Sequence, residues 1–275
     1  MSIAIKNINL KDEVAIDFRT VVLDGKHVQS VNIDQTNGSF IITEPIENKG
    51  QVVVYPQSPN NTLYYIKTYK TFKGYGDLNL PLDARFDWTR RKLFISDAGN
   101  SRILKVDVNT FVVERETKEI ILPHSIVPEL NLGGVFVKAF SGINTGVIYY
   151  YASDGTIVDY FTFPCSLGHQ TTDIQYTSGY VSSLPIPSTM VYDFARWRLW
   201  WTSGTYVYTI DIRNRQVTQN NLSPDYISTR GLDIHLESGN VFVVAEKSTQ
   251  KWYLVQIFRD NNYTSCGAYI PIEDI

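Results

Sequence analysis

The sequence is poor in sulfur, with 2 Cys and 2 Met in 275 residues. Cys165 and Cys266 stand about a hundred residues apart, and neither belongs to a C-x-x-C or Cys/His cluster. That spacing encodes no zinc site or redox pair, and leaves a disulfide between the two open. Charge is also sparse, at 19% of residues with a formal net charge of −3. No global positive field exists to neutralise a phosphate backbone, so nucleic acid is not expected as a main partner. No apolar run approaches the roughly 20 residues that a membrane helix requires. The segment Met1–Ile8 lacks the basic, apolar and small-residue regions of a secretory leader. The expectation is a virion-associated or cytoplasmic chain without membrane insertion. There is no G-x-S-x-G, P-loop or dinucleotide fingerprint, and His27, His124, His169 and His235 show no paired ligand spacing. No metal and no cofactor is expected.

What the chain has in quantity is aromatic and β-branched material, including 18 Tyr, 13 Phe and 5 Trp. Such residues fit pleated, half-buried surfaces better than helices. With 43% hydrophobic residues there is enough apolar surface for an extensive core. The length suits one closed all-β domain.

A repeat organises that material. Val31–Asp34 leads through a turn into Phe40–Thr43, and Ala84–Asp87 leads into Leu93–Ser96. Three further units read Lys138–Ser141 into Val147–Tyr150, Met190–Asp193 into Leu199–Thr202, and Leu232–His235 into Val241–Val244. In each unit a polar anchor (Asp34, Asp87, Ser141, Asp193, His235) precedes by six residues the start of an apolar run. The anchors stand 53, 54, 52 and 42 residues apart. Turn residues and a third strand follow each run: Gln51–Tyr55, Arg102–Val106, Thr156–Phe161, Thr205–Ile210 and Trp252–Ile257. Hairpins repeated at this period predict blades set around an axis. The reading is an all-β propeller of five blades over residues 28–275, with six blades as the alternative. Residues 1–27 match no unit and read as an N-terminal arm or ring-closing strands. The segment Ile120–Leu132 reads as a connection with a short turn.

One unit carries a more specific likeness. Pro81–Asp87 followed by Lys92–Asp107, with Asp97, Asn100 and Arg102 in its turn, resembles an NHL repeat, with Ser101 in place of that motif's usual His. The match spans residues 81–107, and the other units agree by pattern only. The resemblance implies a β-propeller, in a family whose members bind proteins, bind RNA or act as lyases. The turn set itself reads as structural, a hairpin whose Arg pairs with a neighbouring blade.

Candidate site residues follow from the period of two along a strand. Two and four positions before the anchors, the first, second and fifth units present Ser30, Asn32, Asp83, Arg85 and Asp233 to one rim of the axis, with Arg230 adjacent. His124, in an inter-blade connection, joins them as the histidine nearest that rim. The run Arg196–Trp201 reads as a strand with Trp197, Leu199 and Trp201 on one face and Arg196, Arg198 and Trp200 on the other, packed between blades. Asp34, Asp87 and Asp193 read as turn-capping carboxylates.

Three functions fit. The sequence favours a non-catalytic interaction platform in a larger assembly such as a phage tail or particle. Its expected partners are proteins, a second copy of the chain, or a host surface glycan. The alternatives are a lyase- or lactonase-like enzyme with a central-channel site, and an intracellular NHL-type protein- or RNA-binding module.

Overall fold

A computed structural model describes residues 30–34, 36, 39–46, 49–55, 67–118, 120–142, 145–164, 189–203, 206–222, 226–247, 252–257 and 266–272. The arm 1–27 and Cys165 lie outside them, as does the side chain of Cys266. Blade 1 consists of β1 (Ser30–Ile33), β2 (Phe40–Ile46), β3 (Lys49–Tyr55) and β4 (Lys67–Tyr69). A small hairpin, β5 (Thr71–Phe72) and β6 (Gly76–Asp77), leads to blade 2: β7 (Pro81–Asp87), β8 (Lys92–Asp97), β9 (Arg102–Asp107) and β10 (Val113–Thr117). Blade 3 is β11 (Ser125–Pro128), β12 (Val135–Gly142), β13 (Thr145–Tyr151) and β14 (Ile157–Pro164). Blade 4 is β15 (Met190–Asp193), β16 (Arg198–Ser203), β17 (Tyr206–Asp211) and β18 (Gln216–Asn221). Blade 5 is β19 (Tyr226–Ile234), β20 (Val241–Lys247), β21 (Trp252–Ile257) and β22 (Cys266–Ile272). Each blade is an antiparallel sheet of four strands in sequence order, and the five form a ring: a five-bladed β-propeller. The inner strands touch in succession, β1 with β7, β7 with β11, β11 with β15 and β15 with β19.

Period-two alternation lets each sheet bury both faces, one against each neighbour. Ile41 and Val52 of blade 1 pack on Ala84, Leu93 and Ile95 of blade 2. Phe94 and Ile103 then face Ile126 and Val137 of blade 3. Phe136 and Ile148 meet Leu199 and Trp201 of blade 4, and on its other face Trp200 packs on Leu232 and Val243 of blade 5. On the opposite face of blade 1, Phe40, Ile42, Val53 and Tyr55 form a cluster with no described member from blade 5.

The third unit is where the sequence reading fails. Its inner strand is β11, inside the segment read as a connection, and Ser141 lies near the end of the second strand β12. Val147–Tyr150 is part of the third strand, and Thr156–Phe161 largely that of the fourth. The true anchor is Glu129, which also precedes an apolar run, Val135 onward, by six residues. Its carboxylate accepts the N–H groups of Asn131 (3.0 Å) and Leu132 (2.6 Å) across the turn, and Gly133 takes the positive φ, +81°, that the turn needs. Its backbone N–H donates to the carbonyl five residues on, Gly134, as Asp34 does to Ser39 and His235 to Asn240.

The anchors do more than cap turns. Asp87 accepts Thr89 and Arg90 N–H groups, and the Arg90 guanidinium continues to the Leu130 (2.9 Å) and Asn131 (3.0 Å) carbonyls of blade 3. Asp193 and Arg196 repeat this toward Leu236 and Glu237 of blade 5, both at 2.9 Å. Arg196 therefore belongs to the turn, as does Trp197 at φ +57°, and β16 begins only at Arg198. Arg102 bonds Asp97 (2.6 Å), Glu116 of its own blade and the Tyr75 and Asp77 carbonyls of the preceding hairpin, and, among the described residues, none of a neighbouring blade.

Candidate functional site

Where the five inner strands converge, a cavity of about 430 Å³ opens. Ser30, Asn32, Asp83, Arg85, Ser125, Thr189, Val191 and Asp233 line it, and Val31, Ile33, Leu82, Leu232 and His124 complete the wall. Counted back from the true anchors, the first eight all stand two or four positions upstream. Six of the seven residues selected from sequence are thereby brought together: Ser30, Asn32, Asp83, Arg85, His124 and Asp233. Arg230 is in β19, with its side chain outside the described residues. Ser125 lies in a segment that reads from sequence as an inter-blade connection; the six-residue spacing from Glu129 to Val135 is the signal that marks its strand. Thr189 and Val191 occupy the same upstream positions in the fourth unit.

The wall is tied together by side chains, because adjacent inner strands share no β-ladder. Asn32 Oδ1 accepts the Phe86 N–H at 2.9 Å, Asp83 Oδ2 accepts that of Ile126 at 3.1 Å, and Ser125 Oγ accepts that of Met190 at 3.2 Å. One step out, the residues paired opposite Ser30, Asp83 and Ser125 donate to the next blade. Thr43 reaches the Leu82 carbonyl, Ser96 that of Pro123, and Lys138 that of Thr202.

Asp83 is the most committed group. Its Oδ1 accepts the Ala84 N–H and Arg85 Nε–H, and its Oδ2 accepts the Ser125 hydroxyl and the Ile126 N–H. A carboxylate saturated in this way holds a wall in place and is poorly suited to take a proton from a substrate. His124 is buried, its backbone N–H donating to the Lys138 carbonyl. Burial, reinforced by the Lys138 ammonium, pushes its imidazole down to about 3, so the ring is neutral at ordinary pH. Among the described residues no three His, Cys, Asp or Glu side chains stand close enough to hold a metal ion.

Other groups remain free for a ligand. Arg85 uses only Nε, toward Asp83 at 3.0 Å, and among the described residues Nη1 and Nη2 have no partner. The Asn32 amide nitrogen is likewise unengaged there, its oxygen having been taken by Phe86. Asp233 is exposed, and among the described residues the Ile234 N–H alone donates to it. The cavity thus has a donor side on blades 1 and 2 and an acceptor on blade 5.

No protein-family model matches the chain, and no curated protein matches it in sequence. The NHL likeness of residues 81–107 therefore stands on the motif alone. In three dimensions the chain is similar to hydrazine synthase of Kuenenia stuttgartiensis, with a TM-score of 0.62 and 12% identity over 92% of this chain and 70% of that one. It is also similar to a chain of a nidogen/laminin complex, with a TM-score of 0.57 and 14% identity over 90% of this chain and 86% of that one. At such identities the likeness extends to the propeller fold and not to the neighbours' chemistry. No helix long and apolar enough to cross a membrane occurs among the described residues.

Proposed function

We propose that this chain is a non-catalytic propeller platform, a structural or receptor-binding component of a larger assembly such as a phage particle, which engages its ligand through the channel mouth. One observation carries the reading. All five inner strands contribute to one cavity whose Arg85, Asn32 and Asp233 suit binding, while the carboxylate of Asp83 is taken up by the wall and the imidazole of His124 is buried and neutral. Composition supports the narrower step: a Tyr-rich β chain with 2 Met and 2 Cys suits a rigid particle component. The apolar residues of 1–27 supply a segment for docking. The test is sedimentation of the native protein taken from its source without dissociation. A particle many times the 31.4 kDa chain mass is expected; a free monomer overturns the reading.

A further inference from the structure

We infer that the channel mouth selects a small hydroxylated ligand bearing one carboxylate, with Arg85 as the residue that reads the charge. This rests on the reading of the mouth as a binding site and adds the ligand's chemistry to it.

The argument begins with how Arg85 is held. Asp83 fixes the guanidinium by a bond to Nε alone, at 3.0 Å, and the remaining acceptor capacity of Asp83 goes to Ala84, Ser125 and Ile126. The Arg85 side chain is 17% exposed, so it is set in the wall instead of waving in solvent. Among the described residues its Nη1 and Nη2 have no partner, so the end-on fork, one N–H from each, is left to match the two oxygens of a carboxylate. Asn32 stands at the equivalent position of the adjacent inner strand and brings a further free amide donor to the same side.

Charge decides between classes of anion. Asp83 and Asp233 both line this cavity with Arg85, so a dianionic phosphate would face two carboxylates across a small space. A monoanion halves that repulsion, and Arg85, whose charge Asp83 already pairs through Nε, meets it with its unused Nη donors and not with an uncompensated positive charge. Asp233, on blade 5, accepts a hydroxyl from the far end of the ligand, and Ser30 and Thr189 lie on the same wall. Val31, Ile33, Val191 and Leu232 supply apolar surface for the C–H faces of the same molecule. A volume of about 430 Å³ falls within the range of small-molecule sites.

The experiment uses the full chain and a matched pair of probes, glucuronate and glucose, which differ by the carboxylate. Binding is followed by titration calorimetry and by the methyl resonances of Val31, Ile33 and Val191. Glucuronate is expected to saturate and to shift those methyls, with glucose weaker by at least about tenfold, the scale of a charge-assisted bidentate contact. Arg85→Gln should bring glucuronate down to the level of glucose. Arg85→Lys, which keeps a cation beside Asp83 but loses the fork, should fall between them and guards against a folding artefact. Equal binding of both probes at the mouth would overturn the carboxylate inference and leave the binding site standing. No saturable change at the mouth with either probe would overturn both.

Discussion

Arg90 leaves its own blade to donate to the Leu130 carbonyl 2.9 Å away, so the turn of blade 3 is held by a residue of blade 2. Arg196 does the same for the Leu236 carbonyl of blade 5. Each guanidinium is oriented by the aspartate three residues before it, Asp87 or Asp193, which makes the pair a repeated inter-blade staple. Replacing Arg90 or Arg196 by Ala should each cost about 1–3 kcal/mol, because a charge-assisted bond is lost and a buried carboxylate loses its cation. The two staples lie at different interfaces, so chemical denaturation of the double variant should show nearly additive losses. Strong non-additivity would mean that the staples do not act locally.

Glu129 is the third anchor on structural grounds, and the assignment can be checked by stability. Glu129→Ala leaves the Asn131 and Leu132 N–H groups of a tight turn without their acceptor, at a cost of about 1–3 kcal/mol. Ser141→Ala, near the end of β12, should cost much less. The reverse order in urea unfolding would restore Ser141 as the anchor.

Trp200 and Trp201 are both fully buried, yet they serve different interfaces, Trp200 facing blade 5 and Trp201 facing blade 3. Each large-to-Ala replacement should cost about 3–5 kcal/mol. Hydrogen exchange should separate them, with Trp200→Ala loosening β19 and β20 first, and Trp201→Ala loosening β12 and β13. A uniform loss of protection in both variants would argue against independent inter-blade cores.

His124 gives the fold a predictable acid response. Its folded pKa, about 3, lies below the ordinary 6.5, so the unfolded chain takes up a proton that the folded chain refuses. The stability associated with the neutral ring is therefore present above about pH 6.5 and is lost as pH falls toward 3, by up to about 1.4 kcal/mol per unit for this one group. His124→Gln should flatten that part of the profile when thermal midpoints are measured from pH 7 to 4. An unchanged slope would place the acid sensitivity elsewhere.

The blades were legible because their signal is local: an acidic or polar anchor, a six-residue step and an apolar run, all set by one hairpin. Asp34, Asp87, Asp193 and His235 each occupy that place. Blade 3 was misread because its second and third strands are both strongly apolar, so Ser141 and Val147 imitate the step that Glu129 and Val135 make. The inner strand Ser125–Pro128 is only four residues long and carries a Pro, which reads as a connection when no neighbouring blade is visible. Most of the mouth could still be picked out, because positions two and four before Asp34, Asp87 and Asp193, and two before His235, line the cavity. What no sequence pattern reveals is which of those groups the wall consumes. Asp83 and Asp233 look alike in sequence, yet among the described residues one accepts four hydrogen bonds and the other a single local one.

The central claim is that the mouth is the working face of a platform, and a density map of the native complex tests it most directly. The account predicts that bound material, whether a partner segment or a small ligand, lies over the five inner strands in contact with Asn32, Arg85 and Asp233. A complex whose contacts are confined to the outer strands β10, β14 and β18, with the mouth open to solvent, would contradict it.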